Sequence, residues 1–225
     1  LGAMMEHPGV ARLQAEGCRA LGNLAVNNDA IGDSIIKLGG IAVILDTMKR
    51  LPAEANVQEM GCFALRNIAF SNDASGDSTV AKGVIAAILG AMKGHPAVAE
   101  VQEDGCAAFG NIAFSNDDIR NLIDAEGGIS VILGAMKEHP AVADVQEYGC
   151  AALRNVASSK DAIRDSITAE GGIAAILGAM KGHPAVAEVQ EDGCAAFGNI
   201  AFSNDDIRNL IDAEGGISVI LGAMK

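Results

Sequence analysis

"VQEDGCAAFGNIAFSNDDIRNLIDAEGG", Val101 to Gly128, returns unchanged at Val189 to Gly216. The identity runs further on both sides, so that residues 85–137 and 173–225 are the same. Near-copies fill the rest of the chain. Cys18, Cys62, Cys106, Cys150 and Cys194 stand 44 residues apart, and five prolines (from Pro8 to Pro184) and Gln14, Gln58, Gln102, Gln146 and Gln190 keep the same step. A period of this length is that of helical solenoids, in which each unit buries its apolar face only against its neighbours. Arg66 and Arg154 occur in the second and fourth copies alone, which marks the duplicated block as two units. Recent duplication and deliberate assembly both account for such identity.

Each unit reads as helices. "SNDDIRNLIDAEGG" has Ser115 or Asn116 as N-cap and acids in its first turn, both favourable at the positive helix end. Ile119, Leu122 and Ile123 form its apolar stripe, and Gly127-Gly128 stop it. "ISVILGAMKE" is a second helix, apolar nearly all round and hence buried. Pro140 is then placed in the first turn of a long third helix through "AVADVQEYGCAALRNVA". The units are bounded at about 7–50, 51–94, 95–138, 139–182 and 183–225, in one array spanning 1–225.

"PAVADVQEYGCAALRNVASSKDAIRDSITAEGGIAAILGAM", Pro140 to Met180, resembles an armadillo repeat of the importin-α and β-catenin kind. The features that carry this are Pro ahead of helix 3, "QE" within it, its Asn-Ile/Val-Ala ending, and "I-D/T-A-x-G" before helix 2. The resemblance covers the whole chain. It implies an all-α, right-handed superhelical solenoid of stacked three-helix repeats, with helix 3 lining a concave face that holds an extended peptide. Importin-like repeats often carry Trp four residues before the Asn. Here Arg19, Phe63, Ala107, Ala151 and Ala195 stand instead.

The composition narrows the partner. The chain has 225 residues, a formal charge of −13, one Tyr and no Trp. Nucleic acid is excluded by that charge, and no apolar run reaches the ~18 residues of a membrane span. The five segments 1–50, 51–94, 95–138, 139–182 and 183–225 carry 0, −1, −6, −1 and −5. A basic protein or peptide partner is therefore expected, with the third and fifth units as its cation sites. On helix 3 the apolar faces repeat while one stripe varies, as a recognition surface does and as drift on a solvated face also does. The candidate binding residues on that stripe are Asn23, Asn67, Asn111, Asn155 and Asn199 with Glu59, Phe63, Glu103, Asp104, Glu147, Tyr148, Glu191 and Asp192. The resemblance implies that the Asn side chains hold a peptide backbone. Capping backbone groups or bonding along a ladder of neighbours explains them equally well.

Other chemistry finds no support. Cysteines one helix spacing apart, ~8–10 Å, exceed the ~7 Å limit for a disulfide. They read as small buried hydrophobes in a reducing compartment, cytoplasmic or nuclear. His7, His95, His139 and His183 recur at steps of 44 or 88 and are not expected to share a metal. "NDD" at 116–118 and 204–206 reads as helix capping rather than a cation site. No enzyme, metal or cofactor is expected. The competing function is a structural or engineered scaffold with an idle groove. "LGAMME" at 1–6 resembles "LGAMKE" at 133–138, so the chain is expected to be a segment of a longer solenoid that associates head to tail, more strongly as salt rises.

Overall fold

The computed structural model describes residues 1–68, 78–114 and 116–224. Among them every regular element is a helix. In chain order these are α1 (Gly2–Glu6), α2 (Ala11–Ala25), α3 (Asp29–Lys37), α4 (Gly40–Arg50), α5 (Ala55–Ile68), α6 (Ser78–Gly94), α7 (Ala99–Ala113) and α8 (Asp117–Ala125). They continue as α9 (Gly128–Glu138), α10 (Ala143–Ala157), α11 (Asp161–Ala169), α12 (Gly172–Gly182), α13 (Ala187–Ile200), α14 (Asp205–Ala213) and α15 (Gly216–Ala223). The long helices α2, α5, α7, α10 and α13 stack on one another in order, and α4, α6, α9, α12 and α15 form a second layer beside them. The core lies between the layers. Its largest members recur by unit: Leu65, Phe109 and Leu153 on the long helices, and Ile44, Ile88, Ile132 and Ile176 opposite them.

The short helices start and stop as the residues dictate. Asn116 Oδ1 accepts from the N–H groups of Asp118 and Ile119, and Asn28 and Asn204 cap α3 and α14 in the same way. Ser115, the other candidate cap, lies outside the described residues. Gly39, Gly127, Gly171 and Gly215 take φ between 80° and 90°, where a side chain is strained. The glycine after each is needed for space: a Cβ on Gly128 would lie 2.9 Å from the Ile123 carbonyl oxygen.

The second unit departs from the helix–Gly-Gly–helix expectation. Val84 stands where the other units have Gly40, Gly128, Gly172 and Gly216, and the tight turn cannot form around its side chain. The chain instead runs as one continuous helix, α6, through Gly83. A second correction concerns proline. Pro140 precedes α10 by three residues and sits in a turn closed by Val142 N–H donating to the His139 carbonyl at 3.1 Å. Its fixed φ suits that turn position as well as it would a helix start.

Glycines inside the long helices admit the neighbouring layer. A Cβ on Gly105 or Gly149 would sit 2.6 or 2.5 Å from the side chain of Met92 or Met136. The cysteines next to them, Cys18, Cys62, Cys106 and Cys150, are buried free thiols, and Cys194 is half-buried. Burial pushes the thiols of Cys18 and Cys106 up to about 12, so they stay protonated and unreactive. No helix among the described residues is long and apolar enough to cross a membrane.

Candidate functional site

A helix leaves its last four carbonyls without partners, and three recurring polar residues meet that need. Gln102 Nε2 donates to the carbonyls of Met92 at 3.0 Å and His95 at 2.9 Å, closing α6. Gln14, Gln58, Gln146 and Gln190 do the same for the helix preceding each. Arg120 Nε donates to Ala113 O at 2.7 Å, with Nη2 on Phe114 O, so α8 closes α7. Arg164 repeats this on Ala157 O. The third residue is the asparagine of the stripe. Asn111 Nδ2 donates to Arg66 O at 2.9 Å, Asn155 to Gly110 O at 2.9 Å and Asn199 to Arg154 O at 2.8 Å. Each acceptor is an end carbonyl of the preceding long helix, so the Asn residues form a ladder from unit to unit. Asn67 instead turns to Phe63 O in its own helix. A Cβ on Gly22 would lie 2.6 Å from the Phe63 ring, so that ring covers the preceding long helix. Asn23 is exposed.

The histidines make a further ladder. His95, His139 and His183 each place Nε2 2.7–2.9 Å from the carbonyl of Pro52, Pro96 and Pro140 in the unit before. A carbonyl accepts only, so this nitrogen carries the proton. Among the described residues no group of three or more His, Cys, Asp or Glu is placed to hold a metal.

The acidic candidates divide into two sets. Asp104 is buried and Asp192 half-buried, and each pairs with the arginine of the preceding unit. Arg66 Nη1 donates to Asp104 Oδ1 at 3.1 Å and Nη2 to the Tyr148 hydroxyl at 3.2 Å, with the guanidinium 4.7 Å above the Tyr148 ring. Arg154 pairs with Asp192 in the same way. Burial nevertheless raises Asp104 to about 7, against the pull of Arg66, and neighbouring Glu103 adds to the rise. The other set is a row with one member in each unit from the second to the fifth: Glu59, Glu103, Glu147 and Glu191, the first three half-buried and the last exposed. Burial, then repulsion from Glu100, raises Glu59. Burial, then repulsion from Asp144, raises Glu103. Burial, then Asp192, Asp144 and Glu188, raises Glu147. The long-helix face thus presents carboxylates that face other carboxylates.

The recurring stack is matched by a known family. A family model described as LRRK2 ARM repeat matches residues 45–215. The chain belongs to the armadillo-repeat family. Comparison with curated proteins finds no match. Among solved structures, the armadillo chain is similar to an engineered protein at 26% identity, covering 94% of this chain and 82% of that one with a TM-score of 0.78. A designed armadillo repeat protein in complex with the peptide (KR)4 shares the fold at 19% identity, covering 97% and 89%, with a TM-score of 0.75. Another designed armadillo repeat protein covers 100% and 97% at 21% identity and a TM-score of 0.74.

Sequence reading brought the acids and asparagines of this armadillo array onto one surface and missed the arginines. The spacing from Arg66 to Asp104 equals that from Arg154 to Asp192, which was the available signal.

Proposed function

We propose that this armadillo array is a binding scaffold, not an enzyme, whose long-helix face holds an extended basic peptide. The observation that carries the reading is the row Glu59, Glu103, Glu147 and Glu191 at one register, whose half-buried members are raised by burial and by acids on adjacent long helices. Carboxylates held against each other in partial burial favour any ligand that brings a cation between them. Long helices ~8–10 Å apart and a peptide rising ~3.3 Å per residue give two to three peptide residues per unit. The asparagines retain a second N–H after capping the neighbouring helix, so Asn111 and Asn155 can still donate to a peptide carbonyl. A similar designed protein is described with (KR)4, a ligand of the same charge. The free, largely buried thiols support a reducing compartment, cytoplasmic or nuclear.

The test is titration of an alternating Lys-Arg octapeptide at rising salt. Affinity is expected to fall steeply with salt, and the Glu103→Gln/Glu147→Gln pair to weaken binding by roughly tenfold or more at low salt. Equal affinity in parent and variant, or affinity indifferent to salt, contradicts the proposal.

A further inference from the structure

Arg66 reaches across the long-helix face from α5, past α7, to α10. Its guanidinium meets three groups there: the Asp104 carboxylate at 3.1 Å, the Tyr148 hydroxyl at 3.2 Å and the Tyr148 ring at 4.7 Å. A carboxylate, a polar oxygen and an aromatic face are the set that recognises a planar cation. Asp104 is buried, with a side-chain exposure of 10%, while Arg66 keeps 23% and remains open to solvent. Tyr148 is half-buried and packed against the core, so the acid and the aromatic form the walls and the arginine is the more exposed member of its ion pair. Arg154 fills the corresponding place on Asp192, and its Nε donates to the Asn155 amide oxygen at 3.3 Å, occupying that acceptor too. Position 110 between them is Gly, so the next long helix sends no such arm.

We infer that Asp104 and Tyr148 form a guanidinium site which Arg66 occupies from within, competing with arginine side chains of a ligand. The internal arginine acts as a plug. It lowers affinity for arginine-rich ligands and makes the third unit selective: lysine, which cannot make the planar stack, gains little by displacing it. The inference sharpens the basic-peptide reading, but its test does not depend on that reading.

Tyr148 is the sole tyrosine in a chain without tryptophan, so its emission reports directly on the site. The probes are N-acetyl-arginine amide and N-acetyl-lysine amide, added at about pH 9, because removing Arg66 also removes the pull that holds Asp104 down to about 7. Arg66→Ala is expected to show a saturable change in tyrosine emission with the arginine probe. The required concentration should be roughly tenfold or more below that for the parent protein or for the lysine probe. Adding Asp104→Asn to Arg66→Ala should abolish the response. An Arg66→Ala protein that responds no better than the parent, or as well as its Asp104→Asn double variant, overturns the inference. Should Arg66→Ala lose its helical signal, Arg66→Gln keeps the bulk of the arm and is held to the same outcomes. An Arg66→Ala protein that takes the arginine probe yet ignores the octapeptide refutes the groove and supports the plug.

Discussion

The junction of α5 with α7 and the junction of α7 with α10 are built on the same interior and differ at their surface. In both, the later helix donates an asparagine to an end carbonyl of the earlier one, and buried glutamines and cysteines recur unchanged. Only in the first does an arginine of the earlier helix pair with an acid of the later one, Arg66 with Asp104, as Arg154 of α10 pairs with Asp192 of α13. The second has Gly110 at that place. The interior thus follows the 44-residue period and the surface an 88-residue one. A helix end buried without partners costs the same in every unit, whereas charge on an open face is free to diverge. Alternation leaves some groove acids neutralised and others exposed to each other.

The largest effects should ignore this difference. Replacing Gln102 or Gln146 by Leu removes two hydrogen bonds and strands the buried carbonyl of Met92 or Met136, while His95 and His139 keep the N–H of Val98 and Val142. A loss of about 1–3 kcal/mol is expected in either case. Urea unfolding of the two variants should show equal losses. A gap between them beyond ~1 kcal/mol breaks the claim that the interior is indifferent to the alternation.

The equivalent glycines Gly22 and Gly110 should separate the α2–α5 junction from the α7–α10 junction at a smaller scale. A Cβ on Gly22 would meet the Phe63 ring at 2.6 Å and the Ala64 backbone at 3.1 Å. Gly22→Ala is therefore expected to cost about 1–3 kcal/mol through overpacking. At Gly110 the nearest atoms lie at 3.6 Å, an ordinary contact. Gly110→Ala should stabilise by roughly 0.5–1 kcal/mol, since the helix gains and nothing is displaced. The same thermal melts on both variants check the sign.

A separate effect is in pH. Asp104 has a folded pKa of about 7 against 3.8 for the free group, with burial as the cause. A carboxyl whose pKa is raised on folding favours the fold below its unfolded pKa, and that advantage is lost as pH rises through the folded one. Glu59, Glu103, Glu147 and Asp192 shift in the same direction. The melting temperature should fall as pH rises from about 4 to about 7, and Asp104→Asn should flatten the slope. A melting temperature that climbs over this interval contradicts the electrostatic picture.

Much of the fold was legible because repetition turns local signals into tertiary ones. Gln, Cys, Gly and Pro at one step define units whose helices have readable caps and stops. Less was legible where a side chain acts beyond its own unit. The asparagine ladder depends on which neighbouring carbonyls are orphaned, and the Arg66 arm crosses two helices. The recurring Asn and the repeated Arg-to-Asp spacing allow both, but neither is decided within one period. Asp104 read as part of an exposed stripe because helical spacing ignores what the adjacent units lay over it. Val84 was a visible exception whose consequence, a continuous α6, follows only from the 2.8–2.9 Å clearance over the carbonyls in the other turns.

The central claim is that the long-helix face holds carboxylates under repulsion that a cationic ligand relieves. Calorimetric titration of the alternating Lys-Arg octapeptide near pH 6.5, in two buffers of different protonation enthalpy, tests it most directly. A cation placed among these groups lowers their pKa values, so Asp104, raised to about 7 and still partly protonated at that pH, must give up its proton. The account predicts net proton release that disappears by about pH 9. Binding with no proton exchange, or with proton uptake, would contradict it.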